Sequence, residues 1–146
     1  MKFSVFVILI FTCVQLNAQN TTYDSVLAKK LNADANGMKS YYLVILKTGS
    51  AKITDKKKSD SIFGGHMKNI QRLALENKLV VAGPMGKNDK TYRGIFILNT
   101  DNKEEAERMV ATDPAVQAKI FNAEYYPWYA MAALQEIMSL HKKISK

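Results

Sequence analysis

Cysteine is almost missing: the 146 residues contain one, Cys13, and it lies inside the N-terminal apolar run. Everything beyond that run is thiol-free, which excludes a disulfide framework, thiolate metal ligands and a cysteine nucleophile. Histidine is nearly as scarce. His66 and His141 stand far apart, with no compact His/carboxylate spacing around either, so the sequence offers no metal-site pattern. Neither a phosphate-binding glycine loop nor a dinucleotide fingerprint occurs, and we expect no metal and no nucleotide cofactor. With 7 Gly and 3 Pro among 47% hydrophobic and 23% charged residues, collagen-like and disordered architectures are excluded and one globular domain is expected.

The N-terminus departs from that average. Lys2 supplies a positive start, Phe3 to Val14 is a nearly unbroken apolar run, and Leu16-Asn17-Ala18 places a small residue before a cut. This pattern predicts a secretory signal peptide over 1–18 and export to the periplasm or the medium. The run is too short for a bilayer span, which needs roughly 20 apolar residues, and no second long run follows. Ile10-Phe11-Thr12 lacks the small residues expected before a lipid-attachment cysteine.

Residues 19–38 are polar and are expected to form an arm or linker, with the folded domain over 39–128 and a helical tail over 129–146. Tyr41 to Leu46 is a continuous apolar run that suits a strand buried on both faces. Ser50 to Asp60 carries Lys52, Lys56, Lys57 and Lys58 and reads as a solvated loop before a helix that starts at Asp60 or Ser61 and ends near Asn77. Met67, Ile70, Leu73 and Ala74 would form its packing stripe. Leu79 to Ala82 and Tyr92 to Leu98 predict two antiparallel strands. Asp101 with Glu104 resembles a capping box for a helix bearing Ala106, Met109 and Val110. Asn122 to Tyr126 predicts a last strand stopped by Pro127, and Ala130 to His141 a tail helix.

Strand, helix, strand, strand, helix, strand is the split βαβ order of a ferredoxin-like α+β domain. On the third strand Tyr92, Phe96 and Leu98 point one way and Ile95 and Ile97 the other. A sheet apolar on both faces must be covered on both. Helices cover one, and a homodimer packed sheet against sheet would cover the other, with the tail helix available to cross to the partner.

Without cysteine, acid/base chemistry falls to the histidines and carboxylates. His66 follows Phe63-Gly64-Gly65 at the expected first turn of the first helix, where two small residues leave room for a ligand; it also fits a histidine satisfied by nearby backbone. Asp113-Pro114 has the form of a helix N-cap followed by proline at the first helical position. The same aspartate beside an imidazole would fix its tautomer and make a general acid/base pair. Arg93 is a candidate for binding a substrate carboxylate or a solvated strand residue. Gly83-Pro84 shapes a turn whose backbone could line a cleft. Tyr125, Tyr126, Trp128 and Tyr129 fit core or interface aromatics. The basic balance of +8 favours anionic small molecules. The lysine run is too short to predict a nucleic-acid partner.

From about Lys39 to Trp128 these features together resemble the YCII-related (YciI-like) domains, small dimeric α/β-barrel proteins with a ferredoxin-like protomer. The resemblance rests on the first strand, His66, Val81-Ala82-Gly83-Pro84, Thr112-Asp113-Pro114 and Tyr126-Pro127-Trp128. It implies a histidine-aspartate pair at His66 and Asp113. In that family a relative eliminates chloride from a chlorinated muconate-type acid, and muconolactone isomerases share a related barrel, so the implied chemistry is that of a lyase or isomerase. The expectation is therefore an exported homodimer using His66 and Asp113 on an anionic or carbonyl substrate; the alternative is a noncatalytic envelope protein that binds a small ligand or a protein partner.

Overall fold

The computed structural model describes residues 22–146. The expected signal peptide, its cut after Ala18, and Cys13 lie outside the described residues. Four antiparallel strands, β1 (Met38–Thr48), β2 (Leu79–Pro84), β3 (Tyr92–Leu98) and β4 (Phe121–Met131), form one sheet in the order β2-β3-β1-β4. Helices α2 (Lys56–Leu75), α3 (Lys103–Ala111) and the short α4 (Pro114–Gln117) belong to the connections β1–β2 and β3–β4. This is the ferredoxin-like α+β arrangement expected from the sequence.

The strands are apolar on both faces, and each face has its own core. On one, Val44, Leu46, Phe96 and Leu98 pack with Leu73 of α2 and Ala106, Met109 and Val110 of α3. On the other, Tyr41, Val80, Ile97 and Ala130 pack with Leu43, Val81 and Leu134. A shift of register between Leu79 and Val81 lets both Val80 and Val81 serve this second core, since a bulge breaks the strict alternation of a strand.

The tail covers part of the second face of its own chain. A 3₁₀ turn (Ala132–Glu136) leads into α5 (Ile137–Ile144), so the helix starts later than the expected Ala130. The hydroxyl of the fully buried Tyr41 donates to the carbonyls of Met131 and Ala132 at 3.1 and 3.2 Å, which fixes the tail where it leaves the sheet. The rest of the face carries exposed Tyr126 and Trp128 beside half-buried Leu43, Ile45 and Ile95.

Local chemistry moves several boundaries. The lysine run is helical, because the Asp55 side chain accepts from the Lys58 amide at 3.0 Å and Lys56 pairs with Asp60 one turn on. α2 therefore begins at Lys56, not Asp60. Its inward face is Ile62, His66, Ile70 and Leu73, while Met67, expected inside, is exposed. Asn102 caps α3 in place of Asp101, accepting from the Glu105 amide at 2.7 Å. β4 continues through Pro127, which sits opposite Tyr42; β4 is an edge strand, where a residue without an amide N–H is tolerated. The polar arm contains helix α1 (Ser25–Lys30), capped by Asp24, and buries Leu31.

Replacing Asp55 by alanine should lower stability by about 1 kcal/mol and speed amide exchange in the first turn of α2. Unchanged exchange at Lys58 would show that the lysine run is held by something other than this cap.

Candidate active site

His66 and Asp113 meet. His66 Nδ1 lies 2.6 Å from Asp113 Oδ2 although the two residues are 47 positions apart. The aspartate side chain is fully buried and the imidazole 13% exposed. His66 lies well inside α2, not in its first turn, because the helix begins earlier than expected. Asp113 ends the α3–α4 corner and is the N-cap of α4, with Pro114 at the first helical position. Its other oxygen, Oδ1, accepts from the Ala115 amide at 2.9 Å. The capping reading and the pairing reading of Asp113 are thus both realised, one on each oxygen.

Two features bring α2 and α4 close enough for this. One is Gly65: a Cβ there would stand 2.9 Å from Pro114 Cγ. Glycine in mid-helix costs about 1 kcal/mol relative to alanine, and the gain is this close approach. The second is a polar clamp one turn on. Arg72 Nη2 donates to Asn69 Oδ1 at 2.8 Å and to Thr112 Oγ1 at 3.0 Å, tying α2 to the residue just before Asp113. Gly64, by contrast, has open space where a side chain would be and, two residues before His66, faces away from the imidazole, so the room expected there is not beside the histidine.

The imidazole is walled by aromatic rings. Phe96 stacks on it at a centroid distance of 6.0 Å, Phe121 meets it edge-on at 5.5 Å and Phe63 at 6.5 Å. These come from β3, β4 and α2. The sequence assigns none of the three to the site; only the spacing of Phe63 and His66, three apart on a helix, carries a signal. Such walls keep water from competing for the Nδ1–Oδ2 hydrogen bond. Nε2 makes no hydrogen bond among the described residues, so one nitrogen is spent on the carboxylate and the other is free.

The remaining candidates do not join this pair. Arg93 is exposed on β3 at a register shift opposite Leu46 and Lys47, and its guanidinium has no hydrogen-bond or ion-pair partner among the described residues. Gly83 and Pro84 end β2, opposite Ile95 and Gly94. Here it is Gly94 that must be small, since a Cβ on it would stand 2.8 Å from the Gly83 carbonyl. Tyr126 donates to Glu124 at 3.1 Å, which also pairs with Lys47 at 2.8 Å; Tyr129 bonds Asp34. Two clefts elsewhere, of about 650 and 500 Å³, are not lined by His66 or Asp113. Among the described residues no group of three or more His, Cys, Asp or Glu is placed to hold a metal ion, and no helix is long and apolar enough to cross a membrane.

A ferredoxin-like fold that sets a buried carboxylate against a helix-borne imidazole is the class of small α+β protein that the structure defines. The YCII-related domain family matches residues 40–129, and the chain belongs to that family. Among solved structures it is similar to 5-chloro-2-hydroxyhydroquinone dehydrochlorinase from Burkholderia phenoliruptrix AC1100 in complex with 2,5-dihydroxybenzoquinone. The identity is 20%, covering 60% of this chain and 92% of that one, at a TM-score of 0.43. No curated protein matches the chain.

Asp113→Ala removes the acceptor of two donors and should cost about 2–4 kcal/mol in urea unfolding. Asp113→Asn keeps a capping oxygen and should cost at least about 1 kcal/mol less. Equal losses would mean that the cap contributes nothing.

Proposed function

We propose that this protein is an exported small-molecule lyase or isomerase in which His66 transfers a proton and Asp113 orients it. The observation that supports this reading is the 2.6 Å contact between His66 Nδ1 and a fully buried Asp113 oxygen. A carboxylate accepts a hydrogen bond from Nδ1–H, which leaves the Nε2 lone pair to take a proton from carbon next to a carbonyl or carboxylate. Asp113 then stabilises the imidazolium. The proton returns to another carbon in an isomerisation, or the electron pair expels a leaving group in an elimination.

Access is by the exposed part of the imidazole, beside the exposed ring of Phe63. The basic balance favours an anionic substrate, and Arg93, whose side chain has no partner among the described residues, is a further candidate contact for its carboxylate. We assign the sheet face carrying Tyr126 and Trp128 to a homodimer, because an exposed apolar face of this kind marks an interface. The tail lies on its own chain, so it need not cross to the partner. The apolar run from Phe3 to Val14, inside the expected signal peptide over 1–18, supports export.

Deuterium uptake tests the chemistry without knowledge of the natural substrate. A panel of small keto acids, unsaturated lactones and enolisable quinols in D₂O should contain a compound whose carbon-bound protons the protein exchanges. His66→Gln should slow that exchange by about 10²–10⁴-fold while circular dichroism shows an intact fold. Binding that persists with no exchange in either protein would favour the noncatalytic ligand-binding reading.

A further inference from the structure

We infer that the N-terminal helix and the C-terminal tail build a second binding site, separate from the His–Asp pair, for an amphipathic monocarboxylic acid. The site is the cleft of about 650 Å³ between the end of α1, the last turns of α2, the start of β2 and α5. That volume falls in the usual range of ligand pockets, roughly 300–1,000 Å³. Two of its walls, α1 and α5, lie outside residues 40–129, so the cleft belongs to what this chain adds to the family domain.

Its lining is apolar: Leu31, Ala74, Leu75, Leu79, Val80 and Met138. Leu31, Leu79 and Val80 are buried, which makes the base of the cleft part of the folded core and not a loose surface groove. The appended elements are tied in place. Lys30 pairs with Glu136 at 2.8 Å, and the Gln135 amide donates to the Leu31 carbonyl at 2.7 Å, so α1 and the tail close on each other.

The polar groups around the cleft divide into spent and unspent. Asn99 accepts from Lys39 at 2.6 Å and donates to the Asn77 carbonyl and to Gln135 at 3.0 and 3.2 Å. Ser139 donates to the Glu136 carbonyl at 2.8 Å, and the one lining carboxylate, Glu136, is already neutralised by Lys30. What remains without a partner among the described residues is the Lys142 ammonium and the side-chain amides of Gln71 and Asn77. A cation and two amides at the rim of an apolar cleft, with no unpaired acid, match a ligand with an apolar body and a single negative group. A cationic amphiphile would meet Lys142 with nothing to offset the repulsion.

The test uses the full chain labelled with ¹³C-methyl methionine, since Met138 lines the cleft, with sodium decanoate as the probe and 1-decanol as its uncharged counterpart. Decanoate should shift the Met138 methyl signal saturably, and decanol should bind at least several-fold more weakly. Lys142→Glu should weaken decanoate binding about tenfold and leave decanol unchanged. Ser139→Phe, which fills the cleft from an exposed position, should abolish both shifts. The inference is overturned if Met138 does not respond, if Lys142→Glu and Ser139→Phe bind like the parent, or if the methyl signal that moves is that of Met67, beside His66. That last outcome would give the acid to the His–Asp site and leave the proposed chemistry standing.

Discussion

The two oxygens of Asp113 hold the functional end of the molecule together. A carboxylate that is fully buried must have its acceptor capacity used, because leaving it unpaired away from water is costly. One oxygen receives the amide of Ala115 and so starts α4; the other meets the imidazole of His66 and so binds α4 to α2. The close approach of the two helices, the glycine at 65, the proline at 114 and the Arg72–Asn69–Thr112 clamp all follow from the need to bring these two groups within hydrogen-bond distance. The same residue is therefore both a structural cap and a candidate participant in chemistry.

The scaffold behind the pair is rigid for ordinary reasons. β1 and β3 are the central strands of the sheet and carry Val44, Leu46, Phe96 and Leu98 into the core beneath the helices. Phe96 belongs both to that core and to the wall of the histidine. A group placed on a buried strand moves little, so the imidazole is held by packing on one side and by a charged acceptor on the other. The second sheet face is only partly covered by the tail, whereas the first is covered by the helices that carry the pair.

Much of the fold was legible because its signals are local. The apolar runs of β1 and β3, the Gly-Pro end of β2 and the Asp-Pro start of α4 each follow from a few adjacent residues. The boundaries that differed have non-local or competing causes. Lys56 to Lys58 has the composition of a solvated loop, and only the Asp55 cap turns it into a helix start. Pro127 reads as a stop until the strand order makes β4 an edge. Both members of the pair were visible as residue types, yet their contact spans 47 positions and depends on Gly65, whose value lies in what its missing side chain permits. The three phenylalanines come from three separate elements, so no sequence window contains them. The cleft beside α5 was invisible for the same reason.

Asp113 accepting a hydrogen bond from Nδ1–H leaves the Nε2 lone pair free, and the imidazole tautomer reports this directly. Two-bond ¹⁵N–¹H correlation spectra of the full chain, with His141 as a reference for an exposed ring, would assign it. The account predicts that neutral His66 carries its proton on Nδ1 and that Asp113→Ala moves the population toward the Nε2-protonated form. A neutral His66 protonated on Nε2 in the parent protein, with no change in Asp113→Ala, would contradict the account and reduce Asp113 to a helix cap.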